Sequence, residues 1–212
     1  MVHTFRSVRT AQHTARMAVC AGLFMLLAAC GFHLKEATPI PFQTIYTNIN
    51  LNTDFGARLR RSIQTNSPDS RFVDSLSQAD VYLNQMSNQQ KLRQISIDAE
   101  GRVEEYGLDL IFTFQVVDRN GRQVLPPTTL TSTREIPYNE RVVQAKEGEI
   151  TRTFQDMQLS LIDQIMRRLS SPEVRHTWEN LSQQPIVKIP DDTPAGTGQP
   201  DWTDSLPGNG QL

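Results

Sequence analysis

The stretch that decides the fold runs Tyr106-Gly107-Leu108-Asp109-Leu110-Ile111-Phe112-Thr113-Phe114-Gln115-Val116-Val117. All of its even positions are apolar and three of them are aromatic, whereas its odd positions are mixed. An alternation with a period of two predicts a β-strand that turns one face toward a hydrophobic core. We therefore expect the even face of this strand to be covered by helices.

Turn signals on both sides of this strand predict a meander. Asn120-Gly121 follows the strand, and this pair tolerates the positive φ values of a tight hairpin turn. Asp98-Ala99-Glu100-Gly101 marks another turn before it, and Pro126-Pro127 indicates that the last strand lies at an edge. The central strand exceeds the usual strand length, so we expect a bulge or bend within it. The expected antiparallel strands are Val81–Ile97, Arg102–Asp118 and Arg122–Ile136.

Two amphipathic helices complete the predicted domain. The first begins at Thr53 or Asp54 and carries apolar residues four apart, and the second spans Glu149–Leu169 with apolar steps of three and four. Shorter strands are expected over 42–50 and 71–73. The predicted fold class is α+β, with two amphipathic helices packed on one face of a roughly four-stranded, mainly antiparallel sheet.

The N-terminus has the features of an export signal. Residues 1–29 carry three arginines and no acidic residue, and Met17–Ala29 is an apolar run too short to span a bilayer. Leu27-Ala28-Ala29-Cys30 resembles a bacterial lipobox, in which the cysteine is acylated and becomes the first residue of the mature chain. We therefore predict a signal peptide over 1–29 and a lipid, palmitate included, on Cys30. A plain secretory signal is the alternative, and Gly31 favours sorting to the outer membrane.

Composition limits the function of the mature chain. Removing residues 1–29 takes the formal net charge from −2 to −5, which argues against a nucleic-acid-binding protein. The mature chain has only two histidines, His33 and His176, and contains no catalytic or metal-binding motif. We predict that it is not an enzyme and that it needs no metal and no cofactor beyond the covalent lipid.

The predicted domain covers residues 30–171, and the tail over 172–212 is rich in proline and glycine. A segment of this composition buries too little apolar surface to offset its ordering entropy, so we predict that it is mostly disordered. The alternative is that Trp178 and Leu181 dock a short extension onto the domain.

Neutral polar residues are concentrated in two of the predicted strands, and a surface of this kind suits a polar partner such as the water-lined interior of an outer-membrane barrel. An ordinary exposed sheet face is the alternative. The residues concerned are Asn84, Gln85, Ser87, Asn88, Gln89, Gln90, Gln94 and Ser96 in the first strand, and Thr128, Thr129, Thr131, Ser132 and Thr133 in the last.

The start of the mature chain, Cys30-Gly31-Phe32-His33-Leu34-Lys35, resembles that of the LptE family of lipopolysaccharide-assembly lipoproteins. The order of elements resembles that family too, as does Ala145-Lys146 before the final helix. The resemblance implies a non-enzymatic, lipid-anchored component of lipopolysaccharide transport in the outer membrane. It further implies a plug and assembly factor of the LptD translocon barrel that contacts lipopolysaccharide, with its body on the periplasmic side or within the barrel lumen.

The resemblance also implies lipopolysaccharide-binding cations. Lys146 stands at the family's basic position before the last helix, whereas Ala99 occupies the basic position at the hairpin, so Arg102 and Arg93 are the nearest bases there. Such side chains can form charge-assisted hydrogen bonds with lipid A phosphates, and solvated surface charges are the alternative. Two other functions stay open: a periplasm-facing lipid carrier that shields acyl chains without a barrel partner, and a periplasmic hydrolase.

Overall fold

The computed structural model describes residues 38–137 and 143–188. The predicted signal peptide over 1–29, the lipidation site Cys30 and the tail from residue 189 lie outside the described residues.

The described chain contains five strands, three α-helices and two short 3₁₀ turns, at Leu76–Gln78 and Leu181–Gln183. The strands are β1 (Thr44–Thr47), β2 (Arg71–Phe72), β3 (Val81–Ile97), β4 (Val103–Asp118) and β5 (Gln123–Pro137). The helices are α1 (Asp54–Asn66), α2 (Val143–Leu169) and α3 (Pro172–Glu179).

The five strands form one mixed sheet in the order β2-β1-β3-β4-β5. β3, β4 and β5 form the expected antiparallel meander, but β1 is parallel to both β2 and β3. The prediction of two helices on a roughly four-stranded, mainly antiparallel sheet was therefore wrong in the numbers of strands and helices and understated the parallel pairing. The physical reason is that α1 lies between β1 and β2, and a helical crossover returns the chain so that the next strand runs parallel.

The even face of β4 is buried as expected. Its six apolar residues, from Tyr106 to Val116, belong to the main core cluster and are at most 2% exposed. α1 contributes Phe55, Leu59 and Ile63 to the same cluster, and the rings of Phe55 and Phe112 lie 5.6 Å apart in a tilted arrangement. The apolar stripe of α2, from Ile150 to Leu169, supplies most of the remaining cover.

A bulge at Met86 exchanges the two faces of β3. Before it, Leu83 lies opposite Val116, whereas beyond it Asn88 lies opposite Phe112, so odd residues face the helices first and even residues afterwards. The expected irregularity within the central strand is confirmed only near its start, at Glu104. Most extra residues lie in the neighbouring strands, including Pro126-Pro127 in β5.

Both hairpin turns have the same geometry. Gly101 and Gly121 each adopt a φ of 81°, and their N–H groups donate to the carbonyl oxygens of Asp98 and Asp118 at 3.0 Å. In each turn the aspartate carboxylate also accepts backbone N–H groups two and four residues ahead. The turn predictions are therefore confirmed, and each aspartate side chain stabilises its turn.

The prediction that the tail is mostly disordered from residue 172 was wrong for its first part. Ser171 caps α3 by accepting a hydrogen bond from the N–H of Val174, which is fully buried. Trp178 packs edge-on against Phe42 with ring centroids 5.9 Å apart, and Ile186 forms a β-bridge with Arg122. The docked extension is therefore the correct alternative, because these apolar contacts offset the ordering entropy that proline and glycine suggested.

Gly56 provides a test of the packing between α1 and the preceding loop. A Cβ at this position would lie 2.2 Å from the carbonyl oxygen of Asn50, so the backbone would have to move. We expect Gly56→Ala to lower the free energy of unfolding by about 2 to 3 kcal/mol, the upper range for overpacking. In the matched control Gly148→Ala a Cβ on α2 meets nothing within 4 Å, so we expect a gain of about 0.5 to 1 kcal/mol. Urea denaturation measures both, and equal effects would contradict the prediction.

Asp80 holds the start of β1 in place. Its carboxylate accepts backbone N–H groups from Gln43 at 3.1 Å and Thr44 at 2.9 Å and lies 3.2 Å from the guanidinium of Arg119. Partial burial acts to raise the pKa of Asp80, but the hydrogen bonds from Thr44 and Gln43 and the charge of Arg119 outweigh it and lower the pKa.

We therefore expect Asp80→Asn to lower the free energy of unfolding by about 1 to 2 kcal/mol near pH 7. Because the folded-state pKa is below the unfolded value of about 3.9, the carboxylate's contribution is complete above that value and is lost as the pH falls through the folded pKa. The difference between wild type and variant should therefore shrink in acid-range denaturation curves. Asp69→Asn, at an exposed position, is the control, and a difference independent of pH would contradict the assignment.

Candidate functional site

The face of the meander opposite α1 and α2 forms a regular polar surface, here called the outer face. It follows from the strand register, which places the odd residues of β4 in rows with residues of β3 and β5. The rows are Ser87–Thr113–Thr129, Gln89–Ile111–Thr131, Lys91–Asp109–Thr133 and Arg93–Gly107–Glu135.

The outer face has balanced charge and is laterally hydrogen-bonded. Its two cations and two carboxylates cancel, and the remaining rows carry mostly hydroxyl and amide groups. The hydroxyl oxygens of Thr113 and Thr129 lie 2.9 Å apart, and Thr133 donates to a carboxylate oxygen of Asp109 at 2.8 Å. Side chains of this kind can hydrogen-bond to a partner with little of the desolvation cost that an ionic surface would carry.

The neutral residues that the sequence grouped together divide between the two faces. The bulge at Met86 places Ser87 and Gln89 on the outer face but Asn88 on the helix side. Asn88 has a buried carboxamide oxygen with no hydrogen-bond partner. In β5 the residues of the outer face are Thr129, Thr131 and Thr133, whereas Thr128, Leu130 and Ser132 follow the buried face of β4.

Arg93 lies on the outer face and already binds a carboxylate. Its guanidinium forms an ion pair with Asp109 through Nε and a second contact of 3.3 Å through Nη2. The hydrogen bond with Asp109 raises the pKa of Arg93, while the same contact, with Thr133, lowers the pKa of Asp109 against the effect of partial burial. A phosphate at Arg93 would therefore have to compete with Asp109.

Arg102 folds back onto the hairpin turn that precedes β4. Its Nε donates to Asp98 at 2.7 Å, and its Nη2 lies 3.4 Å from a carboxylate oxygen of Glu100. The backbone N–H of Arg102, followed by its side chain, lowers the pKa of Asp98. The guanidinium is more than half exposed, but two acids already share its charge.

The structure does not join the three predicted lipopolysaccharide-binding residues into one described site. Arg93 and Arg102 lie on the same hairpin about four to five residues apart along the strands, or about 15 Å, and each has its own acidic partners. Lys146 lies in the first turns of α2, and its side chain is outside the described residues.

Sequence reasoning missed the acidic character of the hairpin end. Asp98 and Glu100 contact Arg102, and Glu104 and Glu105 follow it in β4, so residues 98–105 have a net charge of −3. Counting charges over this window would have revealed it. A net negative charge at this end repels a phosphate, and the repulsion is strongest at low ionic strength.

Within the described ranges 38–137 and 143–188, no group of three histidine, cysteine, aspartate or glutamate side chains is arranged to hold a metal ion. The helices in these ranges include none that is both long and apolar enough to cross a membrane.

Comparisons with known proteins give a consistent result. The family model described as LptE: Lipopolysaccharide-assembly matches residues 42–169. A curated relative, the LPS-assembly lipoprotein LptE of Pectobacterium atrosepticum, is 27% identical over 175 residues, covering 79% of this chain and 94% of that protein.

Solved structures of lipoproteins share the fold. The solution structure of an uncharacterized lipoprotein B from Nitrosomonas europaea has a TM-score of 0.57 at 23% identity and covers 69% of this chain and 96% of that one. The crystal structure of the rare lipoprotein B from Shewanella oneidensis has a TM-score of 0.52 at 20% identity, covering 63% and 98%. At these identities the likeness concerns the fold alone.

Proposed function

Because the chain belongs to the LptE lipopolysaccharide-assembly family, we propose that it is the outer-membrane lipoprotein that plugs the LptD translocon barrel and assists its assembly. Cys30 carries the lipid anchor in this proposal, and the body lies on the periplasmic side or within the barrel lumen. More than one acyl chain on Cys30 would give stable anchoring, since each buried CH₂ contributes about 0.8 kcal/mol. The role is structural and requires no catalytic group.

The observation that carries this proposal is the outer face of the meander. The interior wall of a large outer-membrane barrel is polar and wet, so a plug needs a surface that makes many hydrogen bonds and buries few unpaired charges. The outer face meets this need because its charges cancel within the face and three of its four β5 positions are exposed threonines. Its four rows span residues 87–93 of β3, 107–113 of β4 and 129–135 of β5.

The alternative function, a lipid carrier that shields acyl chains, has less support. A carrier needs an apolar space within its own fold, and the aromatic face of β4 is the apolar surface that could line one. Phe112 and Phe114 on this face are fully buried, and side chains of α1 and α2 pack against it. The aromatic face of β4 is therefore already packed as part of the hydrophobic core.

Contact with lipopolysaccharide is proposed mainly for Lys146, with smaller contributions from Arg93 and Arg102. A phosphate at Arg93 would share the guanidinium with Asp109, and a phosphate at Arg102 would share it with Asp98 and Glu100. Lys146 occupies the family's basic position, which lies near the start of α2, and α2 begins six residues after β5 ends at Pro137.

The direct test of the plug is recovery of the native complex. The full chain, tagged and with Cys30 intact, is extracted from outer membranes in mild detergent, and mass spectrometry identifies the bound proteins. We expect one large β-barrel at near-equal amount. Recovery of the chain alone, or with lipid but no barrel, would reject the plug and favour the carrier.

A charge placed on the outer face should weaken this complex. We expect Thr131→Glu to lower barrel recovery about tenfold, the equivalent of 1.4 kcal/mol, because the carboxylate loses water without gaining a partner. Gln155→Glu on the exposed side of α2 introduces the same charge and should leave recovery unchanged. Equal recovery of both variants would contradict the assignment of the outer face.

The contributions of Lys146 and Arg102 can be compared by measuring the affinity of charge-reversal variants for lipopolysaccharide at low and at moderate salt. We expect Lys146→Glu to reduce affinity severalfold, with a smaller added loss for Lys146→Glu combined with Arg102→Glu, because Arg102 is already shared between two acids. Arg58→Glu on the exposed side of α1 is the control for a general charge effect. Unchanged affinity in the double variant would remove both residues from the site.

A further inference from the structure

Most of β3 has a strand on one side only. β1 pairs with it over Val81–Leu83, and the side chain of Asn48 then substitutes for a strand by bonding both backbone groups of Gln85, at 3.0 and 2.8 Å. From residue 86 to residue 97, β4 is the only strand beside β3 in the described part of the chain. Alternate backbone N–H and C=O groups of this segment therefore point toward an open edge.

This open edge, residues 86–97, is also unusually apolar. Met86, Ile95 and Ile97 are exposed by 51%, 39% and 61%, and they are three of the five large apolar residues exposed in the described chain. Ile95 lies across Gly107 of β4, where the absence of a Cβ leaves room for it. An unpaired edge with exposed apolar side chains is a template for another strand.

The other edge of the sheet is better protected. The β-bridge between Ile186 and Arg122 covers the chain just before β5, and Pro126-Pro127 removes two backbone donors. None of the exposed large apolar residues belongs to β5. The difference singles out the open edge of β3 as the place where a strand would add.

Charge identifies the kind of partner. The open edge carries Lys91 and Arg93 and no acidic residue, and because Arg93 is ion-paired with Asp109, Lys91 is the cation that selects the partner. Pairing with the same edge of a second copy would bring four cations into adjacent rows, and like charges across strands are destabilising. Bulges at Met86 and Ile95 also discourage self-pairing but leave a regular segment, Ser87–Gln94, between them.

We propose that an extended, acidic segment of another protein adds to the open edge of β3 as a further strand of the sheet. Its backbone pairs with Ser87–Gln94, a carboxylate lies beside Lys91, and an apolar side chain covers Ile95. The backbone supplies affinity, and the side chains supply specificity. This binding mode goes beyond the proposed plug, because it adds main-chain pairing along the edge of β3 to the side-chain contacts of the outer face.

The test is a cross-linking scan of the full chain in its native membranes. A photo-crosslinking amino acid is placed singly at Ser87, Gln89 or Ile95, and mass spectrometry maps the attachment point. Strand addition predicts a single acidic segment in which moving the probe from Ser87 to Gln89 shifts the attachment point by two residues. Thr129 and Thr131 on β5 are the control positions, for which no such regular shift is expected.

A charge-reversal variant provides a second test of the strand addition. With the probe at Gln89, we expect Lys91→Glu to lower the cross-link yield about fivefold, since an opposite-charge row becomes a like-charge row. Arg134→Glu on β5 is the matched control, and thermal denaturation shows that both variants fold. If Lys91→Glu does not fold, Lys91→Gln replaces it, with a smaller loss expected.

Three outcomes would overturn the inference: no cross-link above the β5 controls, attachment points that do not shift in register, or attachment to a second copy. The plug and the strand addition can fail separately. A barrel that co-purifies without an in-register cross-link supports the plug alone, and an in-register cross-link to another protein without a barrel supports strand addition alone.

Discussion

The packing of α1 and α2 on the even face of β4 governs the other surfaces of the molecule. Six apolar residues of one strand are removed from water there, and each large side chain contributes about 1.5 to 3 kcal/mol. Since α1 and α2 pack on this face, the four rows on the opposite side of the meander are covered by no helix of the described residues and carry mostly polar side chains. The hydroxyl rows of the outer face are the result. Burial on one side of a single strand thus determines where the molecule can meet a polar partner.

The fold was predictable where the sequence has a period and unpredictable where it does not. The alternation of β4 and the steps of the two long helices located the core correctly. The bulge at Met86 has no periodic signature, because one extra residue simply exchanges the faces of β3 beyond it. β2 has only two residues, so its contribution to the sheet depends on pairing with β1. In the segment after Ser171, the docking of Trp178 against Phe42 outweighed a composition typical of disorder.

The sequence predicted which residue types occur at the candidate site, but it did not predict which of those residues contact each other. The sequence identified Arg93 and Arg102 as the nearest bases to the hairpin, but their partners depend on the register. Asp109 is 16 residues from Arg93 and reaches it only because β3 and β4 pair as they do. Once paired, a surface cation is a weaker phosphate ligand than its exposure suggests. The rows of the outer face likewise depend on the register of three strands, which the sequence did not reveal.

The C-terminal extension has a mechanical consequence. Arg175 donates to the carbonyl oxygen of Pro39, and Trp178 packs on Phe42, so α3 contacts the chain just before β1 begins. β1 in turn lies between β2 and β3 and is parallel to both. A force directed along β1 from Pro39 would therefore act on the α3 contacts before it loads the backbone hydrogen bonds of β1 to β2 and β3. Because β1 is an interior strand, such a force does not begin at an edge of the sheet.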